Sequence, residues 1–263
     1  MNAIATVCNK EYSPLLKYWL SAIRKVSNTS IFVLCLNEYN SKYKGINTIK
    51  VNPIGNPFPL DKSDHACAEK IRLFKFLPKE INSILFIDVD ILILKPFWEE
   101  ENFFSISRNK LVICPDLFVG YKEKMEEEFR PYDPNFRMKF KTDGSYFYFN
   151  TGVFFSSREK HEDWFGRLLC IWKDYVDKTL SYPSIFDQNV FNYCLIKDSM
   201  DIFDMPIINN CLRQYQTQHI DRGKILLNNQ VVNAYHFNGG DALKKLRRWK
   251  NLLLKMETSH DNY

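Results

Sequence analysis

Short runs of branched apolar residues alternate along this chain with longer stretches whose apolar side chains recur every three or four positions. Ile4–Cys8, Ile31–Leu36 and Thr48–Val51 are too short for helices and read as strands. Between the first two, Ser13 offers an N-cap and Pro14 a first helical residue. Leu15, Leu16, Trp19, Ala22, Ile23 and Val26 then follow at helical spacing. The turn-rich NPIGNPFP closes the third strand. Ala66–Leu77 predicts a helix stopped by Pro78, and a strand ending at Asp88 comes next. Leu111–Cys114 is a further strand, as is Tyr146–Ser156, which is interrupted by Asn150-Thr151-Gly152. Glu159–Lys178 is an amphipathic helix with Trp164, Phe165, Leu168, Leu169, Trp172, Tyr175 and Val176 on one face. Asp187–Ile196 is a helix, Val231–Tyr235 a strand leading into His236, and Asp241–Met256 a basic helix. Residues 116–145 carry no readable period. Strand–helix alternation of this kind predicts an α/β fold with a mostly parallel central sheet flanked by helices. No repeat or low-complexity linker divides the chain.

Two carboxylates break this pattern. Ser83–Phe97 reads SILFIDVDILILKPF, with Asp88 and Asp90 between runs suited to a strand buried on both faces. Burying an unpaired charge costs several kcal/mol or more, and the usual ways out are a metal ion, a cationic partner or a protonated acid; the other reading is a strand-end turn with solvated acids. In extended chain, residues two apart point the same way, which lets Asp88 and Asp90 converge on one cation at the strand's C-terminal end. His236 ends the late strand, and ligand sites in parallel α/β sheets collect at such ends. Two carboxylates and an imidazole suit Mn²⁺; Mg²⁺, the other candidate, prefers all-oxygen coordination.

The 263 residues, 45% of them hydrophobic, suffice for one large core. A mild net charge of +5 fits an anionic ligand or nothing in particular, and no nucleic-acid partner is expected. The seven cysteines form no CxxC pair and sit mostly in apolar contexts, which suits a reducing compartment. The N-terminus lacks a signal-peptide pattern, and no apolar run is long enough to span a bilayer. A cytoplasmic location is therefore expected, or the chain is the soluble catalytic part of something larger. The helix LKKLRRWKNLLLKM suits either packing on the domain or peripheral contact with the inner membrane surface through residues 243–256.

Other polar residues interrupt apolar contexts. Gly152 inside a strand marks either close approach of a ligand to the backbone or a bulge with a self-satisfied Asn150, and Asn150 offers a donor and an acceptor suited to a sugar hydroxyl. Asp187 and Gln188 open a helix, where Asp187 is either an N-cap or, with Gln188, a polar pair facing a reacting centre. Lys70 and Arg72 precede the DVD strand; Arg72 reads equally as a solvated side chain or an anion partner.

Taken in order, Lys70-Ile71-Arg72-Leu73, the DVD segment, FNTGVFF, FDQNVFN and YHFNGG resemble the glycogenin-like glycosyltransferases of family eight. The resemblance spans about Ile4 to Gly240. It implies a single GT-A-type, Rossmann-like domain over residues 1–240, followed by a basic helix and tail over 241–263. It further implies a UDP-sugar donor and a carbohydrate, glycolipid or glycoprotein acceptor. By resemblance, Thr6, Val7, Cys8 and Asn9 hold the uracil, with Tyr12 stacking on it. Asp88, Asp90 and His236 hold the metal, Val89 lies between the aspartates at the donor, and Lys70 and Gly152 line the donor site. Asn150, Asp187 and Gln188 stand at the sugar. The family's lysine six residues after the histidine is Ala242 here, with Lys244 and Lys245 nearby. Backbone N–H groups around Gly239 are a substitute phosphate contact. Retention at the anomeric carbon is implied, either by a front-face route with Gln188 near the reacting carbon or by double displacement with Asp187 as nucleophile. On this reading, replacing Asp90 with alanine abolishes transfer and leaves the fold intact. Rival readings are a sugar nucleotidyltransferase, disfavoured because the loop CNKEYSP lacks glycine, and a non-catalytic sugar-nucleotide or glycan binder.

Overall fold

The computed structural model describes residues 1–36, 43–52, 69–100, 102–117, 122–181, 186–213, 215, 218–238 and 241–260. Its strands are β1 (Asn2–Cys8), β2 (Ile31–Leu36), β3 (Asn47–Val51), β4 (Ser83–Ile87), β5 (Ile91–Ile93), β6 (Leu111–Pro115), β7 (Phe149–Ser157), β8 (Ile202–Asp204), β9 (Cys211–Leu212), β10 (Gln218–Asp221), β11 (Lys224–Leu227), β12 (Gln230–Val231) and β13 (Ala234–His236). The helices are α1 (Ser13–Val26), α2 (Leu73–Phe76), α3 (Phe97–Glu100), α4 (Phe103–Ile106), α5 (Lys122–Phe129), α6 (Arg158–Thr179), α7 (Phe186–Lys197) and α8 (Ala242–His260).

A seven-stranded sheet in the order β3-β2-β1-β4-β7-β6-β8 forms the centre. Neighbours pair in parallel except around β7, which runs antiparallel to β4 and β6. The mostly parallel sheet is as expected, and the reversed strand is the one carrying Asn150-Thr151-Gly152.

The unbroken apolar runs have a direct cause: alternate residues feed two different cores. Ala3, Ala5, Phe32, Leu34, Ile84 and Phe86 face one core, closed by α6 and α7 through Trp164, Phe165, Trp172 and Phe191. Ile4, Cys8, Ile31, Val33, Leu85 and Ile87 face the other, closed by α1 and α8 through Leu16, Trp19, Ile23 and Trp249. Trp249 is buried, with its ring stacked 5.5 Å from Phe237. The apolar side of α8 therefore packs on the sheet domain. No helix among the described residues is long and apolar enough to cross a membrane.

Three local expectations change. Ser13 is the first helical residue and Tyr12 the cap, without a side-chain capping bond; the Asn9 side chain instead accepts from the Tyr12 N–H at 2.9 Å. The part of the Ala66–Leu77 helix within the described residues breaks at Ile71–Arg72, before α2. Glu69, Lys70, Ile71, Leu73 and Phe74 are all buried, while Arg72 is partly exposed. Arg72 pairs with Glu69 across this turn at 2.8 Å. The Val231–Tyr235 strand divides into β12 and β13, which belong to different three-stranded sheets.

His161, on α6, is fully buried and its Nδ1 accepts the Ser157 N–H at 3.0 Å. Burial pushes this imidazole down to about 4 from 6.5. The unfolded chain takes up the proton first, so this stability is complete above about pH 6.5 and is lost as pH falls toward 4. The loss is roughly 3 kcal/mol, since each unit is worth about 1.4 kcal/mol. Urea unfolding between pH 4 and 8 reads it, and His161→Phe is expected to flatten that limb; an unchanged limb in the variant assigns it elsewhere.

Candidate active site

β4 ends at Ile87, and the chain then turns through Val89 and Asp90 into β5, closed by the Ile91 N–H donating to the Asp88 carbonyl at 3.1 Å. The DVD segment is thus a turn between two sheets, not the extended end of one strand. What makes its carboxylates converge is the pairing around it. β13 runs antiparallel to β5 with His236 opposite Ile91, and the Phe237 N–H donates to the Asp90 carbonyl at 3.1 Å. His236 therefore arrives from a small separate sheet, with Nε2 3.4 Å from Asp90 Oδ1. The reversal of β7 brings its first residues to the C-terminal end of β4, where the Asp88 N–H donates to the Gly152 carbonyl at 2.8 Å. Val89 packs into the core beneath.

Asp88, Asp90 and His236 each present one ligand atom within 4.8 Å of the others. Two neighbouring ligands of one ion, each about 2.1 Å from it, lie ~3 Å apart. The donor set and the 3.4 Å Asp90–His236 spacing therefore fit a shared divalent cation.

Two buried lysines flank this group. Lys70 Nζ lies 2.9 Å from Asp187 Oδ2 and 3.3 Å from Asp88 Oδ1. Lys245 Nζ lies 2.6 Å from Asp90 Oδ2 and 5.0 Å from the centre of the Tyr12 ring. The two aspartates differ sharply as a result. Burial raises the Asp88 carboxyl to about 6, with Lys70 only partly opposing it. Burial acts on Asp90 too, but Lys245 and His236 outweigh it and hold that carboxyl well below the usual range. Asp187 sits in the first turn of α7, where its Oδ2 also accepts from the Thr151 hydroxyl at 2.7 Å. Among the described residues its side chain serves Lys70 and Thr151, and Asp187 lies one residue inside the helix start at Phe186.

Behind the carboxylates lies a layer of buried amides. Asn150 Oδ1 accepts from the Gly152 N–H at 2.9 Å and from Asn210 Nδ2 at 2.7 Å. Asn150 Nδ2 donates to Gln188 Oε1 at 3.1 Å, and Gln188 Nε2 donates to Asp116 Oδ2 at 3.0 Å and the Tyr148 hydroxyl at 3.2 Å. A methyl group on Gly152 would lie 2.7 Å from His236 Cε1, so the close approach read from this glycine is that of the imidazole.

At the end of β1, Thr6, Val7, Cys8 and Asn9 are all buried, and Tyr12 beyond them is partly exposed. Tyr12 joins the carboxylate group through Lys245. Gly239 lies outside the described residues. The arrangement brings together Lys70, Asp88, Asp90, Asn150, Gly152, Asp187, Gln188 and His236. Sequence reasoning passed over Asn210, Asp116 and Tyr148, and named Lys245 only as a nearby base. Ala242, the position pointed to by resemblance, is buried in the first turn of α8, while Lys245 one turn later reaches Asp90.

No protein-family model matches the sequence, and no curated protein matches it. Solved structures do. The galactosyltransferase LgtC, in complex with donor and acceptor sugar analogues, superposes with a TM-score of 0.62 at 18% identity, over 97% of this chain and 96% of that one. Mouse xyloside xylosyltransferase 1, in its apo form, gives a TM-score of 0.61 at 14% identity, over 90% and 98%. An active-site mutant of LgtC gives 0.59 at 18% identity, over 95% and 96%. With its seven-stranded, mostly parallel sheet flanked by helices, this chain has the GT-A fold of these glycosyltransferases.

Proposed function

We propose that this protein is a metal-assisted glycosyltransferase that moves a sugar from a UDP-sugar to a glycan, lipid-linked or protein acceptor, with retention of anomeric configuration. One observation carries the reading: Asp88, Asp90 and His236 offer three ligand atoms within 4.8 Å, flanked by the buried cations Lys70 and Lys245. A bound Mn²⁺ or Mg²⁺ would offset the charge that develops on a departing diphosphate. Lys245, between Asp90 and the Tyr12 ring, stands where it can exchange a carboxylate partner for a phosphate oxygen. Tyr12 supplies a face for the base, with the backbone of Val7–Asn9 beside it. Asp187, neutralised by Lys70 and bonded by Thr151, is a poor nucleophile as it stands. That favours the front-face route, with Gln188 and Asn150 shaping the sugar side. A membrane role for residues 243–256 rests on the exposed Lys244, Arg247, Lys250 and Lys255, since Trp249 and Lys245 point inward.

A thermal-shift panel of UDP-, GDP- and CDP-sugars, with Mn²⁺ or with EDTA, tests the reading. UDP-sugars with Mn²⁺ are expected to stabilise the fold, by about 2.7 kcal/mol at one hundred times Kd. A preference for GDP would overturn the base-site assignment, and a shift insensitive to EDTA would overturn the metal.

A further inference from the structure

A head-to-tail row of hydrogen bonds runs from α5 to His236. Asn189 Nδ2 donates to both Glu128 oxygens at 3.1 Å, and the Tyr148 hydroxyl donates to Asn189 Oδ1 at 2.6 Å. Gln188 Nε2 donates to the Tyr148 oxygen at 3.2 Å, and Asn150 Nδ2 to Gln188 Oε1 at 3.1 Å. Asn210 Nδ2 donates to Asn150 Oδ1 at 2.7 Å, and Asn210 Oδ1 faces His236 Nδ1 at 3.1 Å. The sense of this row is fixed at both ends of Asn150. The Gly152 N–H has only a hydrogen to offer, so it requires the amide oxygen on its side. The carboxylates of Asp116 and Glu128 accept, so they require the amide nitrogens on theirs. Asn150 therefore shows its oxygen to Asn210, which must answer with its NH₂. That leaves the Asn210 oxygen for His236.

We propose that Asn210 is the positioning residue that keeps the ring hydrogen of His236 on Nδ1, so that Nε2 presents its lone pair between Asp88 and Asp90. The competing influence is local: Asp90 Oδ1, 3.4 Å from Nε2, would draw the hydrogen onto the ligand atom itself. Metal-binding imidazoles generally need their second nitrogen held by an acceptor, which fixes tautomer and ring plane. Here the acceptor is an amide whose orientation is dictated 60 residues away at Asn150. Gly152 has two parts in the device, its N–H orienting Asn150 and its missing side chain leaving room for the ring. The inference rests on the metal reading for its purpose, but the tautomer itself does not.

The test is therefore begun without metal. Nitrogen-15 NMR of the imidazoles, in the metal-free full chain at about pH 8, is expected to show a hydrogen-bearing Nδ1 and a bare Nε2 on His236. Asn210→Leu is expected to move that hydrogen to Nε2 and to weaken Mn²⁺ binding, read from the free-ion EPR signal, by roughly 10–100-fold. Asn210→Asp keeps the acceptor toward Nδ1 while giving up the N–H to Asn150, and is expected to keep the hydrogen on Nδ1. A bare Nδ1 in the wild-type protein, which needs no variant to fold, would overturn the proposal. So would an Asn210→Leu protein with unchanged tautomer and Mn²⁺ affinity. A hydrogen-bearing Nδ1 in a protein that binds no Mn²⁺ would instead sink the metal reading and with it the purpose assigned to Asn210.

Discussion

Replacing Asp90 with asparagine is expected to cost the fold about 3–5 kcal/mol, the range for breaking a buried ion pair, and to abolish sugar transfer. The reasoning from sequence expected activity to disappear with the fold left intact. The structure changes that expectation because Asp90 is a counter-ion as well as a ligand. Lys245 Nζ sits 2.6 Å from Asp90 Oδ2, with both side chains under a tenth exposed. Removing the carboxylate strands a buried ammonium against the Tyr12 ring. The loss should show as a lowered urea midpoint with little change in slope. A double replacement, Asp90→Asn with Lys245→Met, is expected to recover much of the stability and none of the activity, because no unpaired charge remains. An Asp90→Asn protein as stable as wild type would mean that Lys245 finds another partner.

Lys70→Met is the second large effect. Lys70 holds the carboxylates of Asp187 and Asp88, and its loss leaves two acids facing each other. Asp88 is partly exposed, so the full buried-pair cost does not apply, and ~3 kcal/mol at pH 8 is expected. The pH dependence identifies the cause. Burial already lifts Asp88 to about 6 with the lysine present, and without it the carboxyl rises further. A carboxyl whose folded value lies above its unfolded value of about 3.9 favours the folded state at low pH. That advantage is lost as pH rises through the folded value. The deficit of Lys70→Met relative to wild type should therefore be smaller at pH 5 than at pH 8. A deficit that is flat with pH would point to lost packing, since Lys70 also lies 5.3 Å from the centre of the Phe86 ring.

Much of the fold was legible because its signals are local. β1, β2 and β4 are apolar runs since alternate residues enter two cores, and α6 shows a single apolar stripe since only one face meets the sheet. The boundaries that moved did so where tertiary demands override a period. The Ala66–Leu77 helix breaks at Ile71–Arg72, where Lys70 is held by Asp187 and Asp88 on one side and Arg72 by Glu69 on the other. The late strand divides because His236 must pair with β5 and not with the hairpin that precedes it.

The site divides in the same way. Asp88 and Asp90 stood out unaided, because carboxylates inside an apolar run are an energetic anomaly that composition alone exposes. Asn150-Thr151-Gly152 stood out as a polar break in an aromatic strand. Lys245 and Asn210 carry no such mark. One is a base among several on a basic helix, and the other is an asparagine closing a single 3₁₀ turn. Their meaning comes from partners 155 and 60 residues away. The sequence by itself determined most of the elements and that two acids in an apolar run call for a metal, a cation or a proton if buried, because propensity, periodicity and burial cost act over a few neighbouring residues. Only the tertiary structure decided which cations answer them and which way each amide and imidazole points. Charge pairing and hydrogen-bond sense depend on ångström distances between residues far apart in the chain, which no local pattern encodes.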